Sequence, residues 1–295
     1  MRGARPERAI ERAVDAGGVL ERGESLVVAC SGGPDSAALA GTLAALAPRL
    51  DLTLTMAFVH HGLRASAWQD ECVALALSAA LSIPLRIVAL EPQAGDEARL
   101  RDARYRALSA VAKSNGAGAI VTAHHAEDQS ETVLLALLRG TGAAGLRGMR
   151  ARRPLADGVD LVRPLLRVAP EALRAYCHAR ALPYAVDPSN QRRELRRNAV
   201  REALAALRPL FPGLDAAVAR AAEVVAGEQD GSQRAALRAG VRDELARDEG
   251  LRDIDFLHVE EAVRALERGG SGKFLMKPGL FLRIEGGVLR GTTRE

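Results

Sequence analysis

A short loop, residues 31–36, has the residue types and spacing of an anion-binding turn. It follows an apolar run, residues 26–30, that predicts a buried parallel strand, and it leads into a helix predicted over residues 36–47. Because Gly32 and Gly33 have no Cβ atom, their N–H groups can approach an anion closely, and the helix start adds further donors. The sequence therefore predicts a phosphate-binding cradle, which consists of Ser31, Gly32, Gly33, Pro34, Asp35 and Ser36.

One acidic side chain, Asp35, lies within this cradle. A carboxylate repels a phosphate unless a cation lies between them, so Asp35 predicts a Mg²⁺ ion bound beside the phosphate. Two glycines and a capping acid also occur in ordinary strand-to-helix turns, and this plainer interpretation stays open for the loop taken alone.

Two histidine doublets, His60-His61 and His124-His125, supply further polar side chains. Adjacent residues at a strand end point in opposite directions, and no HExxH or Cys/His spacing is present, so the doublets do not predict a zinc site. In each doublet we expect one histidine to line a nucleotide pocket and the other to pack in its loop. His60 and His124 are assigned to the pocket, although the sequence leaves this choice open.

The residues after the second doublet form a polar stripe. His124, Asp128 and Glu131 are spaced i, i+4 and i+7, which places them on one face of a predicted helix. Polar residues at a helix start are also common on solvated faces, where the helix dipole favours acids.

Strands and helices alternate along the first part of the chain and position these residues. Strands are predicted over residues 26–30, 53–59, 85–90 and 119–122, and helices over residues 6–20, 36–47, 68–82, 97–115, 127–139 and 171–180. The alternation predicts an α/β fold, a doubly wound parallel sheet with helices on both faces. Ligands bind beyond the carboxyl ends of such strands, so the cradle, His60 and His124 should share one edge.

A smaller second domain is predicted after Pro209, Pro212 and Gly213, which punctuate the chain. We expect a first domain over residues 1–208 and a mainly helical C-terminal domain over residues 209–295. In the second domain, helices are predicted at residues 214–225 and 260–267, and two or three short strands that form a terminal β-hairpin at residues 274–289.

The composition argues against several classes of protein. Hydrophobic residues make up 48% of the 295 residues, but no run approaches the ~18 apolar residues of a membrane span. The first twenty residues are charged, unlike a secretory signal, so we expect a cytoplasmic protein with no membrane partner. Cys30, Cys72 and Cys177 lie far apart in sequence, which argues against a disulfide framework, a zinc ribbon or a cysteine-held iron–sulfur cluster.

Positive charge is concentrated in one segment. The formal net charge is +4, yet residues 139–208 carry 15 Lys and Arg against 6 Asp and Glu, and the flanking segments are slightly acidic. The densest cluster predicts contacts with RNA phosphates and consists of Arg192, Arg193, Arg196, Arg197 and Arg201. A solvated helix face, paired with Glu194 and Glu202, is the alternative.

The cradle sequence, Ser-Gly-Gly-Pro-Asp-Ser, resembles the SGGxDS signature of the N-type ATP pyrophosphatases, the PP-loop superfamily, which cleave ATP to AMP and pyrophosphate. Further segments between about residues 26 and 208 resemble the tRNA(Ile)-lysidine synthase family and follow its order. They are FVHHGLR at residues 58–64, ARYRAL at 103–108, TAHHAEDQSET at 122–132, RGTG at 139–142, RPLL at 163–166, DPSN at 187–190 and RN at 197–198.

This resemblance implies an ATP-dependent ligase that joins L-lysine to the wobble cytidine of tRNA(Ile) with a CAU anticodon, with Mg²⁺ as cofactor. The C2 oxygen of the base would attack the α-phosphate of ATP and release pyrophosphate, and the lysine ε-amine would then displace AMP to give lysidine. The residues implied in catalysis are Asp35, Arg104, His124, Asp128 and Glu131, and those implied in ATP binding are the cradle and His60. Asp128 and Glu131 would bind or deprotonate lysine.

Two other functions stay open at this point. A tRNA thiolase would share the ATP-cleaving loop, but such relatives usually use paired cysteines, which this sequence does not supply. An RNA-binding protein that senses a nucleotide without chemistry is the other, and the acids Asp35, Asp128 and Glu131 argue against it. The C-terminal domain is expected to recognise or support tRNA, and whether the protein is a homodimer is open.

Overall fold

The structure, a computed structural model, describes residues 6–60, 67–90, 97–185, 195–229, 231, 233–248 and 256–294. The chain forms two compact units. The first unit comprises residues 1–141 and 148–220, and the second unit comprises residues 142–147 and 221–295. Among the described residues, we find no helix whose length and apolar character would let it cross a membrane.

A six-stranded sheet forms the centre of the first unit. Its strands are β1 Ser25–Cys30, β2 Thr53–His60, β3 Leu85–Ala89, β4 Ala119–Val121, β5 Arg152–Ala156 and β6 Val159–Val162. They lie in the order β3-β2-β1-β4-β6-β5, and every neighbouring pair is parallel except β5 with β6. The predicted parallel sheet is confirmed, and it carries one antiparallel edge strand.

Helices α1, α2, α3, α4 and α7 pack around this sheet. In chain order the helices up to residue 229 are α1 Pro6–Ala16, α2 Pro34–Leu50, α3 Ala67–Leu81, α4 Glu97–Ser114, α5 Ala126–Leu138, α6 Ala143–Leu146, α7 Pro170–Ala179, α8 Leu195–Leu207 and α9 Leu214–Gln229. The short α6 belongs to the second unit, and α9 crosses the boundary between the units. The helices predicted in the first part of the chain are all present, with ends shifted by a few residues.

The alternation of side chains along β1 explains why both faces of the sheet are covered. Leu26 and Val28 point to one face, where they join a buried cluster with α1, α2, α3 and α7, whereas Val27 points to the other and packs with Leu108 of α4. All of these side chains are buried. A strand buried on both faces reads as a continuous apolar run, which is why β1 was visible in the sequence.

The β5–β6 pair was not predicted. Its outer strand contains Arg152, Arg153 and Pro154, a composition typical of an edge strand, where one side needs no ladder hydrogen bonds. Arg152 holds the strand in place because its guanidinium donates to Asp160 at 2.7 Å and to Glu24 at 2.8 Å.

The second unit contains two further helices and a three-stranded antiparallel sheet. The helices are α10 Gln233–Asp248 and α11 Phe256–Glu267, and the strands are β7 Gly272–Lys277, β8 Leu280–Glu285 and β9 Val288–Arg294. The predicted helix at residues 260–267 and the terminal strands are present. Helix α10 was missed because its buried stripe is narrow: Val241 and Leu245 are fully buried among many charged residues.

Candidate functional site

The cradle lies between the carboxyl end of β1 and the first turn of α2. The Ser36 hydroxyl closes the loop: the Ser31 N–H donates to Ser36 Oγ at 3.2 Å, and Ser36 Oγ donates to the Gly33 carbonyl at 2.9 Å. Gly33 is the N-cap of α2 and Pro34 occupies its first turn. The first N–H groups of a helix have no partner within the helix, so this end of α2 suits an anion.

Gly32 makes the tight turn of the cradle. Its φ is +81°, a region that favours glycine, and a Cβ atom built there would lie 3.1 Å from the backbone oxygen of Asp70 in α3. The Gly32 carbonyl also accepts a hydrogen bond from the Ala185 N–H at 2.8 Å. The backbone conformation therefore favours glycine here, and a larger residue would also crowd the backbone of α3.

The carboxyl end of β4 brings the second histidine doublet to the same edge. The neighbouring strands β1 and β4 are parallel, and α5 begins at Ala126 with His125 as its N-cap. His124 thus precedes the helix, and the predicted i, i+4, i+7 face begins two residues before the first helical residue. The N–H of His125 donates to Asp128 Oδ2 at 3.0 Å, which fixes the first turn of α5.

His125 links the cradle to α5. Its Nε2 lies 3.7 Å from Asp35 Oδ2 and 3.6 Å from Asp128 Oδ2, so one imidazole faces two carboxylates that come from different helices. The sequence left open which histidine of this doublet faces the site. The structure shows His125 between the two acids, a position that the residue pattern alone did not reveal.

His124 is an uncharged member of the site. Its Nδ1 lies 2.9 Å from Thr122 Oγ1, and burial lowers the pKa of its imidazole to about 3. The negative charge of Asp128 opposes this shift, and the positive charges of Arg163 and Arg104 add to it. At neutral pH His124 therefore offers a hydrogen bond and not a positive charge.

Glu131 does not face open solvent. Its side chain is 3% exposed, and Arg201 of α8 donates to both of its oxygens, at 2.7 and 3.0 Å, with Arg197 at 3.4 Å. The sequence placed this carboxylate against an incoming lysine and the two arginines against RNA, or against Glu194 and Glu202. The structure instead pairs these three residues with one another.

The remaining sequence candidates lie in different surroundings. Arg104 sits on α4 with its guanidinium 5.6 Å from the centre of the Tyr105 ring, and His60 ends β2 with its ring 6.5 Å from that of Phe58. Arg196 is exposed on α8. Arg192 and Arg193 lie outside the described residues.

The donor set around Asp35 fits a Mg²⁺ ion shared with a phosphate. Mg²⁺ in nucleotide sites is usually held by one or two carboxylates together with phosphate oxygens and water, and not by a cage of protein ligands. The described residues contain no group of three or more His, Cys, Asp or Glu that could form such a cage. Asp35, 36% exposed at the cradle, supplies the single carboxylate that this arrangement needs.

Comparison with known proteins agrees with this geometry. The family model described as PP-loop domain matches residues 5–207, about two thirds of the chain. This chain belongs to the PP-loop family. The match covers the cradle, the second histidine doublet and α8, and it ends at the last residue of α8.

Three relatives of this PP-loop chain are each named tRNA(Ile)-lysidine synthase. A tRNA(Ile)-lysidine synthase from Salinispora tropica is 46% identical over 68% of this chain and 62% of its own length. One from Salinispora arenicola is 44% identical over 75% of this chain and 67% of its own length, and one from Alkalilimnicola ehrlichii is 43% identical over 78% and 51%. The chain therefore spans about half to two thirds of the length of these relatives.

A solved structure shares the PP-loop fold. The U34-tRNA thiolase NcsA from Methanococcus maripaludis, with its [4Fe-4S] cluster, has a TM-score of 0.64 and 17% identity, covering 73% of this chain and 78% of its own. At this identity the likeness concerns the fold alone.

Proposed function

We propose that this PP-loop protein is an ATP-dependent ligase that attaches lysine to C2 of the wobble cytidine in tRNA(Ile) with a CAU anticodon. The names of the relatives and the motif segments support this function. The observation that carries it is that Asp35 and Asp128 both lie beside His125 next to the cradle, because Mg²⁺ at the phosphates and deprotonation of an amine each call for a carboxylate.

In the first step, the cradle binds ATP and the C2 oxygen of cytidine attacks its α-phosphate. A bond forms between this oxygen and phosphorus while the bond to pyrophosphate breaks. Negative charge develops on the leaving group, where the N–H groups of the cradle and the positive end of α2 stabilise it. Arg104 contacts phosphate from α4, and a Mg²⁺ ion held by Asp35 would neutralise further charge.

In the second step, the lysine ε-amine attacks C2 of the adenylated base. The ammonium form must first lose a proton, and Asp128, whose side chain is 19% exposed, is the carboxylate open to it. The new C–N bond replaces the C–O bond, and AMP leaves. Neutral His124 accepts or donates a hydrogen bond at the base without attracting the phosphate away from the cradle.

The role proposed for Glu131 depends on its ion pairs with the arginines of α8. Its carboxylate meets the lysine ammonium after its pair with Arg201 opens, and Arg201 then turns to RNA phosphate together with Arg197 and the exposed Arg196. Arg192 and Arg193 extend the same surface in the sequence. We assign catalysis to residues 1–208 and support of tRNA to residues 209–295, and we place the protein in the cytoplasm, where tRNA, ATP and lysine meet.

The two buried thiols do not favour sulfur chemistry as a second function. Burial raises the pKa of Cys30, and burial with the nearby charge of Asp35 raises that of Cys177 to about 11. Both groups are therefore thiols at neutral pH, whereas sulfur transfer needs a thiolate.

An assay of ATP–pyrophosphate exchange with tRNA(Ile) transcript tests the proposal, run with and without lysine and followed by nucleoside analysis of the tRNA. We expect exchange that depends on tRNA, and lysidine only when lysine is added. Exchange without lysidine would point to a different second substrate. ATP binding without any exchange would support a nucleotide-sensing RNA-binding protein instead.

A further inference from the structure

A second concave surface lies in the first unit, and no cradle residue contributes to it. It is a cavity of about 530 Å³ between α4 and β5, here called the α4–β5 groove. Its polar lining consists mainly of Arg101, Asp102, Tyr105, Arg106, Lys113 and Arg153. Arg101 and Lys113 are twelve positions apart on α4, which corresponds to about 18 Å along the helix axis.

The α4–β5 groove is strongly positive. Four cations, Arg101, Arg106, Lys113 and Arg153, line it with one carboxylate, Asp102. Over the described ranges, none of the four cations forms an ion pair with a carboxylate. Arg152, the residue next to Arg153, differs from these four because it forms ion pairs with Glu24 and Asp160. Unpaired cations gathered in one concave surface attract an anion from solution.

A buried arginine, Arg163, adds its charge to the groove residue Tyr105. Arg163 is 2% exposed; its Nη1 donates to the Arg150 carbonyl at 2.8 Å, but its Nε has no hydrogen-bond partner among the described residues. Burial by itself would raise the pKa of Tyr105, yet the charges of Arg101, Arg104 and Arg163 lower it overall. The electrostatic potential is therefore positive at Tyr105, in the wall of the groove, as well as at the exposed cations along its rim.

We propose that the α4–β5 groove binds the phosphodiester backbone of the RNA substrate, an inference that rests on the proposed function. A single phosphate would satisfy only one end of the groove, whereas its cations are distributed over about 18 Å of helix. A polymer with one negative charge per nucleotide can contact them in series. Arginines contact phosphates with two parallel hydrogen bonds, and the lysine contacts them as a point charge.

The orientation of α4 connects this surface to the reaction. The same helix carries Arg104 in its first half, one turn after the groove residue Arg101, and the groove follows the helix to Lys113 near its end. RNA held along α4 therefore leads a nucleotide toward Arg104 and the edge of the sheet. The groove supplies RNA affinity, and base contacts elsewhere supply recognition.

The test is the double variant Arg106→Ala with Lys113→Ala, because both side chains are exposed and neither belongs to the proposed catalytic group. The slope of log Kd for tRNA(Ile) against log salt should fall by about 1.4 to 1.8, as each lost phosphate contact contributes about 0.7 to 0.9. ATP affinity and the thermal midpoint should stay as in the wild type.

Two matched variants make the result specific. The charge-keeping double variant Arg106→Lys with Lys113→Arg should retain the wild-type slope. Arg22→Ala with Arg86→Ala removes two exposed cations outside the groove, from the loop before β1 and from the opposite edge strand β3, and should also retain it.

An unchanged slope in the Arg106→Ala, Lys113→Ala variant would overturn the groove proposal, and so would an equal fall in the Arg22→Ala, Arg86→Ala control. Failure of the proposed function has a different signature: wild-type protein that forms no lysidine. If that protein still binds RNA with the predicted loss of slope in the variant, the groove stands and only the assigned reaction is wrong.

Discussion

His124 should make the stability of the protein depend on pH between about 6.5 and 3. Burial lowers its pKa from 6.5 to about 3, so the folded protein keeps the imidazole neutral while the unfolded chain binds a proton below pH 6.5. In this range the unfolded state binds more protons, which favours unfolding. The stability that neutral His124 permits is therefore complete above pH 6.5 and is lost as the pH falls.

The size of this loss follows from the pKa difference. A pH of 5 lies 1.5 units below the pKa of 6.5, so the imidazole is protonated in the unfolded chain. In the folded protein, where its pKa is about 3, it is still neutral. Each unit corresponds to about 1.4 kcal/mol, so His124 should cost about 2 kcal/mol of unfolding free energy between pH 7 and pH 5.

Urea unfolding of the wild type and of His124→Asn at pH 7 and pH 5 measures this contribution. Asparagine does not titrate, and it keeps a polar atom for Thr122. The wild type should lose about 2 kcal/mol more than the variant over this interval. His178→Asn is the control, because His178 is exposed and contacts Tyr184 at 3.1 Å; it should keep the wild-type pH dependence. Equal losses in the wild type and in His124→Asn would refute a neutral, buried His124.

Three further predictions concern the acids and their partners. Asp35→Asn should slow ATP–pyrophosphate exchange by about 10²–10³, with the exposed Asp51→Asn as control, and near-normal exchange would contradict a role at the phosphates. Glu131→Gln should reduce the lysine-dependent step more than exchange; an equal loss in both assays would remove Glu131 from lysine binding. Arg201→Ala leaves the buried charge of Glu131 without its main partner, so thermal or urea unfolding should show a loss of about 3 kcal/mol, against almost none for the exposed Arg196→Ala; equal effects would refute this.

The cradle and the parallel strands could be predicted because their signals are local. Two glycines after an apolar strand predict a tight turn whatever surrounds it, because glycine permits positive φ values such as the +81° of Gly32. Burial on both faces left an unbroken apolar run in β1. The edge strand β5 gave no such signal, because it is half exposed and includes Pro154.

The partners of Glu131 could not be predicted for the opposite reason. Arg197 and Arg201 are 66 and 70 positions away from it in sequence, and only the packing of α5 with α8 brings them together. In sequence, a glutamate at a helix start looks the same whether it is solvated or 3% exposed. The basic cluster was therefore assigned to RNA without regard to the acid that two of its arginines contact.

The doublet at residues 124–125 shows a similar limit at shorter range. Helical spacing suggested His124, but α5 begins after His125, so His125 becomes the N-cap and turns toward Asp35 and Asp128. The cap position places His125 between the two acids, while His124 stays beside Thr122. Sequence patterns locate helix ends only to within a few residues, and this site depends on the single position.

His125 also joins the two carboxylates that the proposed mechanism assigns to different steps. The imidazole lies at nearly equal distances from Asp35 and Asp128, so the charge of each acid affects how the ring interacts with the other. In the proposed reaction, a lysine ammonium that neutralises Asp128 would make Asp35 the stronger electrostatic partner of the His125 ring. A ligand that neutralises Asp35 would have the opposite effect. Because binding free energies are reciprocal, any effect of lysine on ATP affinity in the proposed reaction would equal the effect of ATP on lysine affinity. Such a link would require no movement of the sheet, because one side chain, held at the start of α5, lies beside both carboxylates.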